Sequence, residues 1–296
     1  MSYRRSITTT DDDWTVVDYG PMYLRIKAAR DGKTEPEMVR EAAELSMTYL
    51  DRVARLRKDL SRPAIRIEQI PGDEIAERMI KSVRMIGDAD LTPMAAVAGT
   101  LADFVADWLQ EQGATKVIVD NGGDIAVRLE QAERAGIGVR PDIRSLNISH
   151  VVHLDSRSRS WGITTSGLGG RSFTRGIASA VTVVALTASI ADAASTAIGN
   201  ACMVEDESIR QVPADRLDPD TDLIGVPVTV QVGALSRQKF ACAVERAQKK
   251  GEDLSRQGII FGALIAAGGV FSMTEKIKSI MTEASSHSNR PPIGWK

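Results

Sequence analysis

The chain has 296 residues, enough for one large domain or two closely packed halves around a substantial core. Apolar residues make up 43% and charged residues 26%; 37 basic against 39 acidic side chains leave a net charge of −2, which excludes the basic footprint of a nucleic-acid-binding protein. Two cysteines and three histidines, with no C-x-x-C or clustered Cys/His spacing, exclude a disulfide framework and a zinc site.

The opening residues, MSYRRSITTTDDDW, lack the apolar core of a signal peptide, and no run reaches the roughly 18 apolar residues of a membrane span. A cytoplasmic protein with no membrane association is expected. Trp14 to Asp18 and Tyr23 to Lys27 read as strands joined by a turn at Tyr19-Gly20-Pro21-Met22. From Pro36 to Lys58 the apolar residues Met38, Ala42, Leu45, Tyr49, Val53 and Leu56 recur in steps of three and four, the pattern of an amphipathic helix. Its basic cluster Arg52, Arg55, Arg57 and Lys58 reads as a solvated face. A second helix covers Asp73 to Val83. A third opens with Thr92 as N-cap and Pro93 in the first turn, runs to about Gln112 and stops at Gly113.

Lys116 to Val119 and Ile125 to Leu129 read as a hairpin around Asp120-Asn121-Gly122-Gly123-Asp124. Strands follow at Ile148 to Leu154, Trp161 to Thr165 and Ala180 to Ala185. Ser189 to Cys202 is a helix of small residues. Beyond an acidic loop, Asp215 to Asp222, come a strand at Val226 to Val232, a helix at Gln238 to Lys250, and a strand or short helix at Ile259 to Ala266. Residues 285–296 read as a loose polar tail. Helices and strands fall in blocks rather than in βαβ alternation, which predicts an α+β fold with antiparallel sheet. No G-x-G-x-x-G follows the first strand, so a dinucleotide-binding doubly wound fold is disfavoured.

Three constellations carry chemistry. In Thr164-Thr165-Ser166-Gly167-Leu168-Gly169-Gly170-Arg171-Ser172, glycines let backbone N–H groups approach a phosphate, hydroxyls add donors, and Arg171 adds a fork of donors. The same loop also serves as a plain hairpin connection, and it is no Walker loop, because no Lys follows the glycines. Asp192 and Thr196 stand four apart on a helix of small residues and so share one face. They suit a hard cation such as Mg²⁺; equally, Asp192 satisfies the first turn of its own helix. Asn121, Gly122, Gly123 and Asp124 form a tight turn, or a backbone surface that a phosphate or flat ring touches. Serine hydrolysis is disfavoured: Ser166 is not in a G-x-S-x-G elbow, and His153 as a lone base near a strand end reads as structural. No catalytic residue is singled out.

Taken together these segments resemble the ApbE-like superfamily, whose best-known members are flavin transferases. Ala98-Gly99-Thr100-Leu101-Ala102-Asp103 is similar to the family's K-G-x-x-x-D helix, and Asn121 to Ile125 to its N-x-G-G-[DE]-I turn. Thr165-Ser166-Gly167, then Ala180 to Ala185, then Ala191-Asp192-Ala193-x-x-Thr196-Ala197 resemble its T-S-G, V-T-V and A-D-A-x-x-T-A signature. The resemblance implies a tandem T-fold-like architecture over residues 1–284, antiparallel sheet with helices packed on one face, as a single domain of two packed halves. It implies Mg²⁺ on Asp192 and Thr196, with FAD or FMN along the turn Asn121, Gly122, Gly123 and Asp124 and along Thr165, Ser166 and Gly167; Arg171 joins this set from the reading of its loop. The activity implied moves FMN from FAD onto a Thr or Ser of a protein acceptor; homo-oligomers also fall within this expectation. Ala98 departs from the family's Lys, and Ser172 to Ala178 replaces its H-x-x-D-P-x-T-G segment. A pterin- or purine-binding enzyme and a non-catalytic binding or scaffold protein therefore remain as alternatives.

Overall fold

The computed structural model describes residues 5–69, 72–130, 132–142 and 147–284. The first half of the chain holds β1 (Arg5–Thr9), β2 (Thr15–Tyr19), β3 (Met22–Arg30), β4 (Lys33–Thr34), α1 (Pro36–Leu60), α2 (Glu74–Ile86), α3 (Val97–Glu111), β5 (Lys116–Asp120) and β6 (Asp124–Leu129). After these come β7 (Arg134–Val139), β8 (His150–Asp155), β9 (Ser160–Ser166), β10 (Ala180–Ala185), α4 (Ala188–Ala201), β11 (Ile209–Pro213) and β12 (Pro227–Val232). The last are α5 (Arg237–Arg256), β13 (Gly262–Ala267), β14 (Val270–Met273) and β15 (Met281–Glu283). The predicted tail, 285–296, lies outside the described residues.

The chain divides into two compact units: residues 1–134, 155–164 and 185–192 in the first, and 135–154, 165–184 and 193–296 in the second. In the first unit, strands β1, β2, β3, β5, β6 and β9 pair in that order, all antiparallel, with β4 added to β3. β3 alternates, burying Met22, Leu24 and Ile26 between more exposed neighbours, as a sheet with one covered face requires. Those residues, with Val117, Val119 and Ala126, join one core with Ala42 and Met47 of α1, Ile75 and Met79 of α2, and Val105 and Leu109 of α3.

The second helix, expected over Asp73 to Val83, is α2 and runs on to Ile86. The Asp73 carboxylate accepts from the backbone N–H of Ile75 and Ala76 at 2.9 and 3.1 Å, and Gly87 closes the helix at φ 78°. Arg52 donates to that same Asp73 at 2.8 Å and also pairs with Glu74. One member of the expected solvated basic face is thus an anchor between α1 and α2. The third helix begins differently from its prediction. A 3-10 turn covers Pro93–Ala96, the Thr92 side chain caps nothing, and the α-helix starts at Val97.

In the second unit β10 pairs antiparallel with β13, and β13 with β14. α5 packs on β13 and β14. The segment open to strand or short helix is strand β13, buried along its whole length. β15, β8 and β7 make a three-stranded sheet, and β11 with β12 a two-stranded ribbon. The class is α+β with antiparallel sheet, as expected.

Candidate functional site

Helix α3 lacks a capping side chain of its own, because Ala96 stands at its N-cap. The acceptor comes from far along the chain: Asp192 Oδ2 accepts from Gly99 N at 2.9 Å, and the Ala98 N–H also bonds to this carboxylate. The favour is returned. Asp103, on α3, accepts from Ala188 N at 3.0 Å and Ser189 N at 2.8 Å, the first two N–H groups of α4. Thr187 takes the third, Ile190 N, at 3.3 Å. Each helix therefore satisfies the orphan donors of the other with a carboxylate placed at the positive end of its dipole. The expectation that Asp192 serves its own first turn is corrected: Asp103 and Thr187 already occupy that place.

Two glycines permit this crossing. A Cβ on Gly99 would lie 2.2 Å from the Ala188 carbonyl oxygen and 2.9 Å from Asp192 Cβ. A Cβ on Gly162, in β9, would lie 2.2 Å from Ala188 N. Contacts this short are never made, so both positions must lack a side chain for α4 to reach α3 and the sheet.

Asp103 is itself held from below. Arg128 is 2% exposed and donates from Nη2 to Asp103 at 2.9 Å and from Nε to Asp107 at 2.8 Å. Asp107 also accepts from Arg78 at 2.6 Å. Burial opposes charge on Arg128, but the two carboxylates outweigh it and hold the guanidinium above its ordinary value. Burial likewise opposes charge on Asp107, yet Arg128 and Arg78 keep it below its usual range. Burial drives the Asp192 carboxyl up to about 7, the bonds from Gly99 and Ala98 offset part of that, and nearby Asp103 adds repulsion.

Asn121 is buried and ties the sheet end to the same turn of α3, donating from Nδ2 to Ala98 O at 3.1 Å. Its backbone N–H bonds to Asp124 O at 3.0 Å, and Gly123 N to Asp120 Oδ1 at 2.8 Å. Gly122 and Gly123 have φ of 70° and 108°, which glycine adopts without strain. The first unit thus gathers Asp192, Ala98, Gly99 and the Asn121 to Asp124 turn.

Thr196 stands one turn beyond Asp192 on α4, half-buried, and belongs to the second unit. That unit also carries Thr165, Ser166, Gly167 and Arg171. The Thr165 and Thr182 hydroxyls are 2.9 Å apart. A Cβ on Gly167 would lie 2.6 Å from Ser179 O, so this glycine is required by close backbone packing. Arg171 is exposed. The segment after it is fastened down. Arg175 N donates to Asn200 Oδ1 at 3.0 Å, Ile177 N to Cys202 O at 2.8 Å, and Thr229 N to Thr174 O at 2.8 Å. The Arg175 carbonyl accepts from Gln211 Nε2 at 2.8 Å and Thr229 Oγ1 at 3.1 Å.

The sequence assigns no individual role to Thr164, Asp103 or Arg128. Asp103 had a visible signal, its place in the K-G-x-x-x-D-like segment; Arg128 had none beyond being charged in an apolar strand.

The family model described as "AbpE bacteria" matches residues 5–273. The chain belongs to this ApbE-like family. Its relatives include "UPF0280 protein" of Methanococcus aeolicus, 37% identical over 127 residues, which are 42% of this chain and 51% of that protein. Another "UPF0280 protein", of Archaeoglobus fulgidus, is 38% identical over 129 residues, 44% of this chain and 51% of that one. The chain spans about half the length of these curated relatives. Among solved structures, the ApbE protein of Thermotoga maritima is 15% identical with a TM-score of 0.49, covering 94% of this chain and 99% of that one. The apo flavinyl transferase ApbE of Pseudomonas stutzeri is 15% identical with a TM-score of 0.47, covering 94% and 96%. Among the described residues no helix is long and apolar enough to cross a membrane.

Proposed function

We propose that this ApbE-like chain binds a flavin nucleotide, FAD or FMN, together with Mg²⁺, and transfers the FMN part of FAD to a Thr or Ser hydroxyl of a protein acceptor: the FAD pyrophosphate bond breaks, a phosphodiester forms, AMP leaves and the hydroxyl gives up its proton. The observation that supports this most is Asp192: a carboxylate set at the first turn of α3, pushed up to about 7, with Thr196 one turn along its helix. A cation would stabilise that carboxylate as the anion. The donors suit Mg²⁺, which takes one or two carboxylates and completes its shell with waters and substrate phosphates. No cluster of three or more His, Cys, Asp or Glu exists among the described residues, so a metal held by protein side chains alone is not the form proposed. When bound, the ion would neutralise charge developing on the phosphoryl group.

The chain's own residues bind and orient in this reading. Asn121 to Asp124 face the ring, with Gly122 and Gly123 offering backbone unobstructed by Cβ. Thr165, Ser166, Gly167 and Arg171 supply phosphate donors. A second reading, ligand binding without transfer, is favoured by two departures. Ala98 stands where the resemblance expects Lys, and the segment Ser172 to Ala178 is fastened by backbone bonds where it expects a polar flavin-contacting loop.

Melting temperature separates these readings. FAD that stabilises the wild type only with Mg²⁺, and not Asp192→Ala, supports the site. Stabilisation by pterins and not flavins sinks the flavin assignment. An FMN adduct on a Thr or Ser of a co-expressed protein, seen by mass spectrometry, distinguishes transfer from binding alone.

A further inference from the structure

Among the described residues, the Thr164 hydroxyl is the buried side-chain oxygen that meets no hydrogen-bond partner. Thr164 is 0% exposed. A buried hydroxyl left unmet is costly, and Thr165 beside it finds a partner in Thr182. The direction of Thr164 follows from the sheet. Gly162, two residues earlier, turns its missing side chain toward Ala188 of α4, and Ser160, two before that, bonds Leu186 O at 2.6 Å. Alternate residues of a strand share a face, so Thr164 points to the helix side. Its register partner across the ladder is Asp124, which lies on that same side, as does Arg128 four residues on. Directly opposed residues in an antiparallel pair hold their Cβ atoms about 5 Å apart.

The Thr164 and Asp124 side chains therefore stand together at the end of the first unit's sheet. Asn121, in the turn joined to Asp124, reaches Ala98 O, and the adjacent Gly99 N–H is bonded to Asp192. We propose that Thr164 is an oxygen ligand of the cation that Asp192 binds, its hydroxyl standing with Asp124 on the sheet side of that ion. The inference rests on the cation reading above and extends it to a residue that faces the opposite way from the Thr165 of the loop motif. A hydroxyl oxygen coordinates a hard cation through its lone pairs and keeps its proton, so no exchange of protons or electrons is required.

The test uses Mn²⁺ alone as the probe, titrated into the full chain and followed by electron paramagnetic resonance and calorimetry. Thr164→Val keeps the shape and removes the oxygen; Thr164→Ser keeps the oxygen. If Thr164 is a ligand, Thr164→Val weakens Mn²⁺ binding at least tenfold, Thr164→Ser binds within about threefold of wild type, and in EDTA the Val variant melts no lower than wild type. Equal Mn²⁺ affinity in wild type and Thr164→Val, with binding abolished in Asp192→Ala, overturns this inference while leaving the Asp192 site standing. Absence of Mn²⁺ binding by the wild type overturns both. If Thr164→Val fails to fold, Thr164→Cys, with a softer and larger ligand atom, is expected to show the same loss for Mn²⁺ and a gain for Cd²⁺; an unchanged preference between the two metals overturns the inference.

Discussion

Replacing Gly99 by Ala is the sharpest probe of the helix crossing. In an exposed helix interior this change stabilises by up to about 1 kcal/mol. Here the added methyl would sit 2.2 Å from Ala188 O, 2.5 Å from Ala188 C and 2.9 Å from Asp192 Cβ. The first two atoms are backbone and cannot rotate away, so α3 and α4 must separate by more than 1 Å. Overpacking of this kind costs roughly 1–3 kcal/mol. The separation also stretches the bonds from Gly99 to Asp192 and from Ala188 and Ser189 to Asp103. Losing a cap costs roughly 1 kcal/mol. The expected net loss is about 3 kcal/mol in a urea titration, with a parallel loss for Gly162→Ala, whose methyl meets Ala188 N at 2.2 Å. A Gly99→Ala protein as stable as wild type, or more so, would refute the proposed role of the reciprocal caps.

Arg128→Met removes the cation beside Asp103, which is 0% exposed, and leaves the partly buried Asp107 with Arg78 alone; it is expected to cost about 4 kcal/mol by chemical denaturation. In EDTA, Asp192 makes stability fall with rising pH. Its folded value of about 7 lies above its ordinary 3.8, so the folded chain keeps a proton that the unfolded chain has lost, an advantage full below 3.8 and gone above 7. The difference between wild type and Asp192→Asn, measured from pH 4 to pH 8, isolates that slope; parallel curves would show that this carboxyl titrates normally. Burial raises the Cys202 thiol to about 12, whereas Cys242 is exposed. One thiol is expected to react with a disulfide reagent in native protein and both in denaturant; two fast native thiols would mean that the end of α4 opens.

What the sequence made legible was whatever depends on near neighbours. α1 showed its apolar spacing, α2 its place in the chain, and Asn121 to Asp124 its turn. β10 matches its expected ends, Ala180 and Ala185, because Val181-Thr182-Val183-Val184 is an unbroken run of β-branched residues. Strands set by distant partners were not visible. β7 contains Gly136 and Gly138 and pairs only within a three-stranded sheet, and β15 is three residues long and rests on β8. Thr92-Pro93 carried every local sign of a cap, yet α3 is capped by Asp192, whose bond to Gly99 spans 93 positions of sequence. The same limit hid Thr164. A motif reading takes Thr165, Ser166 and Gly167 as a run, but successive strand residues face opposite ways, and only the pairing with β6 shows which one turns toward α4.

The central claim, that Asp192 holds a cation on which nucleotide binding depends, is tested most directly by calorimetric titration of FAD into wild type and Asp192→Ala, each with Mg²⁺ and with EDTA. The account predicts binding by wild type in Mg²⁺, weakened at least tenfold in EDTA, and equally weak binding by Asp192→Ala in both. FAD affinity indifferent to Mg²⁺ and to Asp192, or no FAD binding under any of the four conditions, would contradict it.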